Sequence, residues 1–198
     1  MAAQENSIFD ETRIAALPTP LAIAIADYKK EYKNESDERL HLLKLWHACE
    51  AIELLVRLLV VTCIGELYSG NRLKGTLVDS LRDRIERPTL GLWKSMLLDL
   101  IGAISPDDTV LAELRAMHGV IADFFDGAKA VRTSDGPDML TSFSALRNRL
   151  AHGGGLTDGA AAMLLDAWED RINAFLQRFH WLGELSFYAR SADGELVV

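Results

Sequence analysis

The sequence is poor in the features that announce a secreted, membrane-embedded or metal-dependent protein. Only two cysteines occur in 198 residues, Cys49 and Cys63, both within one apolar helical pattern. That excludes a disulfide framework and the paired spacings of a zinc site, and leaves both thiols as core residues of a reduced protein. In the most apolar stretch, residues 51–65, the longest uncharged run is 58–65, far short of the ~20 residues that cross a bilayer. No basic-then-apolar leader pattern opens the chain. The expected location is cytoplasmic, with no membrane partner. Positive charge is also scarce: 21 Lys and Arg stand against 29 Asp and Glu, a net charge of −8. Phosphate contacts drive nucleic-acid affinity, so any bound RNA must meet a local concentration of cations. There is no Gly-x-Ser-x-Gly and no His-Glu-x-x-His. The one glycine run follows a helix pattern rather than a strand, and no Gly-Lys-Ser/Thr follows it, which excludes a Walker-type NTPase. No repeat or low-complexity segment is visible.

What is present is helix. A chain that is 49% hydrophobic and 25% charged can bury a core of its own, and its length suits one domain. Residues 1–17 are polar and mixed and are expected to be loosely held. A short helix follows over 21–32, with Pro20 as its first helical residue. Ser36 or Asp37 can cap the next helix, 38–68, which would run ~45 Å. Leu40, Leu43, Trp46, Cys49, Ile52, Leu55, Val56, Leu59, Val60 and Cys63 make it apolar almost all round, so it is expected to be buried on several sides. Its polar stripe is His47, Glu50, Glu53 and Arg57. Further helices are expected over 73–85, 89–104, 109–126 (with a half-buried His118), 139–152 and 159–180, and a loop over 132–138. The last apolar series includes Met163. Residues 184–198 change character: Leu185-Ser186-Phe187-Tyr188 and Leu196-Val197-Val198 flank Asp193-Gly194, a hairpin signal. The expected fold class is all-α, an up-and-down helical bundle with a long central helix. It comprises a helical domain over 1–183 and a short C-terminal β hairpin or strand appendage over 184–198. We expect that appendage to lead into a further domain of a longer protein.

The chain is organised around residues 146–155, Leu-Arg-Asn-Arg-Leu-Ala-His-Gly-Gly-Gly, a helix that stops at three glycines. Phe143, Leu146 and Leu150 share one face. Arg147 lies on the flank of that stripe, so its stem is expected to be buried and its guanidinium held at an edge or interface. Asn148 points nearly opposite. His152 falls at the helix end, where Gly153 can take the left-handed closing conformation. An always-charged fork and a histidine able to switch protonation thus lie five residues apart.

That segment resembles the Arg-polar-x-x-x-His signature of the HEPN superfamily, all-helical domains of which many are metal-independent ribonucleases working as dimers. Arg147, Asn148 and His152 match the arginine, the polar residue and the histidine. The resemblance extends over most of the chain, to about residue 181. It implies endoribonuclease activity by attack of the RNA 2′-hydroxyl, with Arg147, Asn148 and His152 catalytic and no metal or cofactor. It implies a homodimer, with RNA as substrate, acting as an effector domain of a defence or toxin-type system under a further domain or regulatory protein. Several such ribonucleases carry an acidic and a basic residue on the long helix near the site, and Glu53-x-x-x-Arg57 resembles that pair. Glu50, Glu53, Arg57 and Arg149 are the expected RNA-binding or supporting residues. Some family members carry a tyrosine two residues after the histidine that a partner nucleotidyltransferase modifies; here that position is Gly154, so this regulation is not supported.

The residues leave plainer readings open. The stripe can be a solvated strip with an internal Glu53–Arg57 pair. Arg147 can pair with Glu50 or Glu53, and His152 can be a helix cap. The domain is then a non-catalytic dimerisation module, or a nucleotide sensor using the same basic site.

Overall fold

Asp10 opens the first helix: its carboxylate accepts from the Thr12 amide at 2.9 Å. The computed structural model describes residues 10–30, 40–86, 89–108, 111–127, 141–152, 156–185, 189–190 and 196–197. In chain order the helices are α1 (Glu11–Ala16), α2 (Thr19–Lys29), α3 (Leu40–Ser69), α4 (Thr76–Ile85), α5 (Leu90–Ala103), α6 (Ala112–Ala116), α7 (His118–Asp126), α8 (Phe143–His152) and α9 (Asp158–Gln177), followed by a 3₁₀ turn at His180–Glu184. The protein is all-helical, as its periodicity requires. Among the described residues no helix is long and apolar enough to cross a membrane. The chain forms two compact units, Met1–Ile52 with Thr157–Val198, and Glu53–Leu156.

In the first unit, α9 and the front of α3 are tied by polar contacts around a core. Asp158 accepts from the Leu42 amide at 2.9 Å and meets His41 Nδ1 at 2.6 Å. Lys44 donates to Glu169 at 2.9 Å, and the buried Tyr28 hydroxyl of α2 donates to Asn173 Oδ1 at 3.1 Å. Thr157 caps α9 by accepting from the Ala160 amide. Within residues 1–17, Glu11–Ala16 form the helix α1. Asp10 caps it, Leu17 is buried, and the 3₁₀ turn packs on it so closely that a Cβ at Gly183 would stand 3.3 Å from Ala16 Cβ. Residues 1–9 lie outside the described residues, as do the expected caps Ser36 and Asp37. The α2 helix begins at Thr19, which makes Pro20 its second residue rather than its first.

In the second unit, α7 and α8 pack through three aromatic rings. Phe143 stacks on Phe124 with centroids 4.9 Å apart and meets Phe125 edge-on at 5.6 Å. Asp108, buried, receives Arg72 at 2.6 Å and the Leu111 amide at 3.0 Å. Cys63 is buried here, and Cys49 in the first unit; neither forms a disulfide.

Several expected boundaries move for physical reasons. The α4 helix starts at Thr76, not Leu73, because Gly75 sits at φ +60°, a left-handed conformation no right-handed helix contains. Thr89 is the cap of α5 rather than its first residue, its hydroxyl accepting from the Leu92 amide. The single helix expected over 109–126 is two, broken at Met117. Buried Leu114 and Ile121 stand two turns apart across the break, so the apolar pattern runs through it and conceals it. His118 is exposed at the start of α7, not half-buried. The α8 helix starts at Phe143 rather than Met139, because Ser142 caps it.

The α3 helix is buried on several sides, as expected: Cys49, Ile52, Leu55, Val56, Leu59, Val60 and Cys63 are buried, while Leu43 is 37% and Trp46 49% exposed. Met163 lies off the buried stripe of α9 and is 76% exposed. At the C-terminus the expected hairpin is not supported as an appendage. Among the described residues only Ala189–Arg190 and Leu196–Val197 pair, antiparallel and two residues a side, too short a ladder to stand alone. The expected first strand begins earlier, and residues 186–188 and 191–195 lie outside the described residues.

Candidate functional site

The site is built on α8 and the rear of α3, both in the second unit. Ser142 positions α8. Its hydroxyl donates to the Phe125 carbonyl at 2.8 Å and accepts from the Ala145 amide at 3.2 Å, fixing where the helix begins. Phe143 and Leu146 are buried beneath it, and Leu150 half-buried. That phase sets Arg147 at the edge of the packed face, with its side chain 27% exposed.

Arg147 Nη2 donates to Glu53 Oε2 at 3.1 Å. The other carboxylate oxygen, Oε1, accepts from Arg57 Nη2 at 2.5 Å. One glutamate, 17% exposed, therefore holds two guanidinium groups. Two arginines against one carboxylate leave a local net positive charge on a chain whose total is −8. Arg57 also lies over the Trp93 ring of α5, its guanidinium carbon 5.9 Å from the centroid. Among the described residues, Arg57 Nε and Trp93 Nε1 are buried donors without an acceptor.

The residues singled out from sequence thus divide. Glu53, Arg57 and Arg147 come together. Asn148, Arg149 and His152 are exposed on α8. His152 follows Arg147 by five residues, about 140° around the axis and ~7.5 Å along it. His152 is therefore not on the packed face, and the cluster holds Arg147 without it. Glu50 belongs to the first unit, where it is exposed and faces His47, 3.6 Å away on the same helix. That separation is too long for a hydrogen bond, and His47 Nδ1 is buried without a partner among the described residues. The three glycines after His152 lie outside the described residues, so the expected left-handed closure at Gly153 does too.

Trp93 is a site residue that the sequence does not single out. It stands three and four residues before Met96 and Leu97, at core spacing, and so reads as one more packed aromatic. The available signal is chemical: a tryptophan inside an apolar stripe brings an N–H that needs a partner.

Chemically, the cluster can neutralise an anion. Guanidinium forks match the paired oxygens of a phosphodiester. An exposed imidazole, that of His152, stands at the end of the same helix. Among the described residues no three His, Cys, Asp or Glu side chains group as metal ligands do. No family model, curated protein or solved structure matches the chain.

Proposed function

We propose that the protein is a metal-independent endoribonuclease of the HEPN type, working as a homodimer. The observation that carries the reading is the Glu53 carboxylate shared by Arg57 and the motif residue Arg147. A lone surface arginine wanders among rotamers. One held by a half-buried carboxylate presents its free N–H groups in a fixed direction, which is what phosphate recognition needs.

In this reading Arg147 binds the non-bridging oxygens of the scissile phosphate. The RNA 2′-oxygen attacks phosphorus, the P–O5′ bond breaks, and the products carry a 2′,3′-cyclic phosphate and a 5′-hydroxyl. One proton leaves the 2′-hydroxyl and one arrives at the departing 5′-oxygen. His152 handles one transfer, and His152 of a second copy handles the other across a two-fold axis. Asn148 is the hydrogen-bonding neighbour of Arg147 in the motif, and Arg149 adds charge for the strand. Pairing two copies also doubles the local positive charge, which an acidic chain requires to hold RNA. The domain is then the effector part of a defence or toxin-type system.

The same ion pair favours a second reading. A carboxylate that neutralises Arg147 is also what a purely structural contact looks like, and the domain is then a helical dimerisation module. Labelled RNA incubated with excess chelator separates the two. Cutting that disappears in both Arg147→Ala and His152→Ala supports the enzyme. A wild-type protein that dimerises but leaves RNA intact supports the module.

A further inference from the structure

The contacts in the second unit form a row that runs past the motif. Arg147 is bound to Glu53, Glu53 to Arg57, and Arg57 lies over the indole of Trp93. The far end of the row is unfinished. Arg57 Nε and Trp93 Nε1 are both N–H donors screened from solvent, and among the described residues neither has an acceptor. Leaving such donors unpaired is unfavourable, and folded proteins rarely do so without a reason. Those two atoms are covered, but the Arg57 side chain is 43% exposed and Trp93 is half-buried, so the guanidinium and part of the ring can meet an incoming group.

We propose that Arg57 and Trp93 form an accessory subsite for one nucleotide of single-stranded RNA, next to the nucleotide whose phosphate Arg147 binds. This deepens the ribonuclease reading and rests on it. The chemistry argues for a nucleotide over a bare anion. A phosphate alone would satisfy Arg57 and has no use for an indole. A nucleotide brings both halves: a phosphate for the guanidinium, and a base whose flat face stacks on the indole ring. The two arginines are close enough that one carboxylate bridges them, so one strand reaches both with consecutive phosphates. A duplex keeps its bases stacked inside and offers Trp93 nothing, so the subsite selects unpaired RNA.

The test uses the full chain carrying His152→Ala, so that RNA is bound without being cut, and reads fluorescence anisotropy of a labelled single-stranded oligoribonucleotide. Trp93→Ala is expected to weaken binding roughly tenfold or more, and Trp93→Phe, which keeps a ring but loses the N–H, by less. On a strand bearing abasic positions, Trp93→Ala is expected to change nothing, because the base it meets is already gone. That interaction between residue and base is one that a structural role for Trp93 does not produce. Unfolding midpoints of both variants identify any loss of folded protein, and Trp93→Phe carries the test if Trp93→Ala does not fold. Equal losses on the normal and the abasic strand overturn the proposal. So does a normal-strand affinity unchanged in both variants. So does a glutamate-rich peptide of matched charge that displaces RNA equally well from the chain with its tryptophan and from the Trp93→Phe variant. If the chain binds and cuts RNA while Trp93 proves irrelevant, this subsite fails and the ribonuclease reading stands. If the unaltered chain neither binds nor cuts RNA, both fail.

Discussion

Arg147 Nη2 and Glu53 Oε2 meet at 3.1 Å although 94 residues separate them in the chain. The contact joins the motif helix α8 to the rear half of α3, and Glu53 has a second arginine, Arg57, on its other oxygen. Glu53→Gln keeps the shape but removes the charge that both guanidinium groups share. We expect the variant to lose about 1–3 kcal/mol of stability, the usual cost of leaving a partly buried charged group without its partner. Urea unfolding reads this as a lower midpoint at unchanged slope. An unchanged midpoint would mean that the pair contributes nothing to the fold.

Ser142 determines where α8 begins. Ser142→Ala removes the acceptor for the Ala145 amide and the donor to the Phe125 carbonyl at once. We expect a loss of about 1–2 kcal/mol and faster hydrogen exchange at the Ala145 amide. Exchange at that amide as slow as in the parent protein would show that another group caps the helix.

Most of the fold was legible because burial follows periodicity. Phe143 and Leu146, Trp168 and Ile172, Leu55 and Leu59 all lie buried where three- and four-residue spacing puts them. What periodicity missed was set by single residues with local chemistry. Gly75 delays α4, Ser142 shortens α8, and the break at Met117 leaves the stripe in register. Of the site, the motif arginine and its flanking position could be read from phase alone. The choice of Glu53 over Glu50 could not, since both lie on one polar stripe and only tertiary packing decides which meets Arg147. Trp93 was hidden for a different reason: an apolar stripe does not reveal whether an indole N–H finds an acceptor.

Burial pushes the Cys63 thiol up from 9.0 to about 12, with Asp108 adding to the effect. Burial also raises the Tyr28 hydroxyl, helped by Glu169 and Asp170. In both cases the folded chain holds its proton more tightly than the unfolded chain. Their stabilising contribution is whole below the unfolded values and is lost as pH rises towards the folded ones. We expect unfolding free energy to be insensitive to Cys63 below pH 9 and to fall from there towards pH 12, with a shallower fall in Cys63→Ala. Identical slopes for the two proteins would show that the thiol ionises in the folded state.

Arg147 and Arg149 separate by chemistry. Arg147→Lys keeps a charge but not the fork, so it is expected to restore little of the cleavage lost in Arg147→Ala. Arg149 is exposed and stands two residues past Arg147, about 200° round the helix from it. Arg149→Ala should weaken RNA binding more than turnover, seen as a rise in KM at nearly constant kcat. If Arg147→Lys cuts as well as the parent protein, bidentate phosphate recognition is not part of the mechanism.

The most direct test is product analysis of a labelled RNA cut in excess chelator by the unaltered chain and by His152→Ala. His152 is exposed at the end of α8, so its truncation is expected to cost only about 0–1 kcal/mol of stability and leave the fold intact. We expect 2′,3′-cyclic phosphate and 5′-hydroxyl ends from the unaltered chain, and no cleavage from the variant. Full activity in His152→Ala, or cleavage that stops when divalent metal is removed, would contradict the ribonuclease reading.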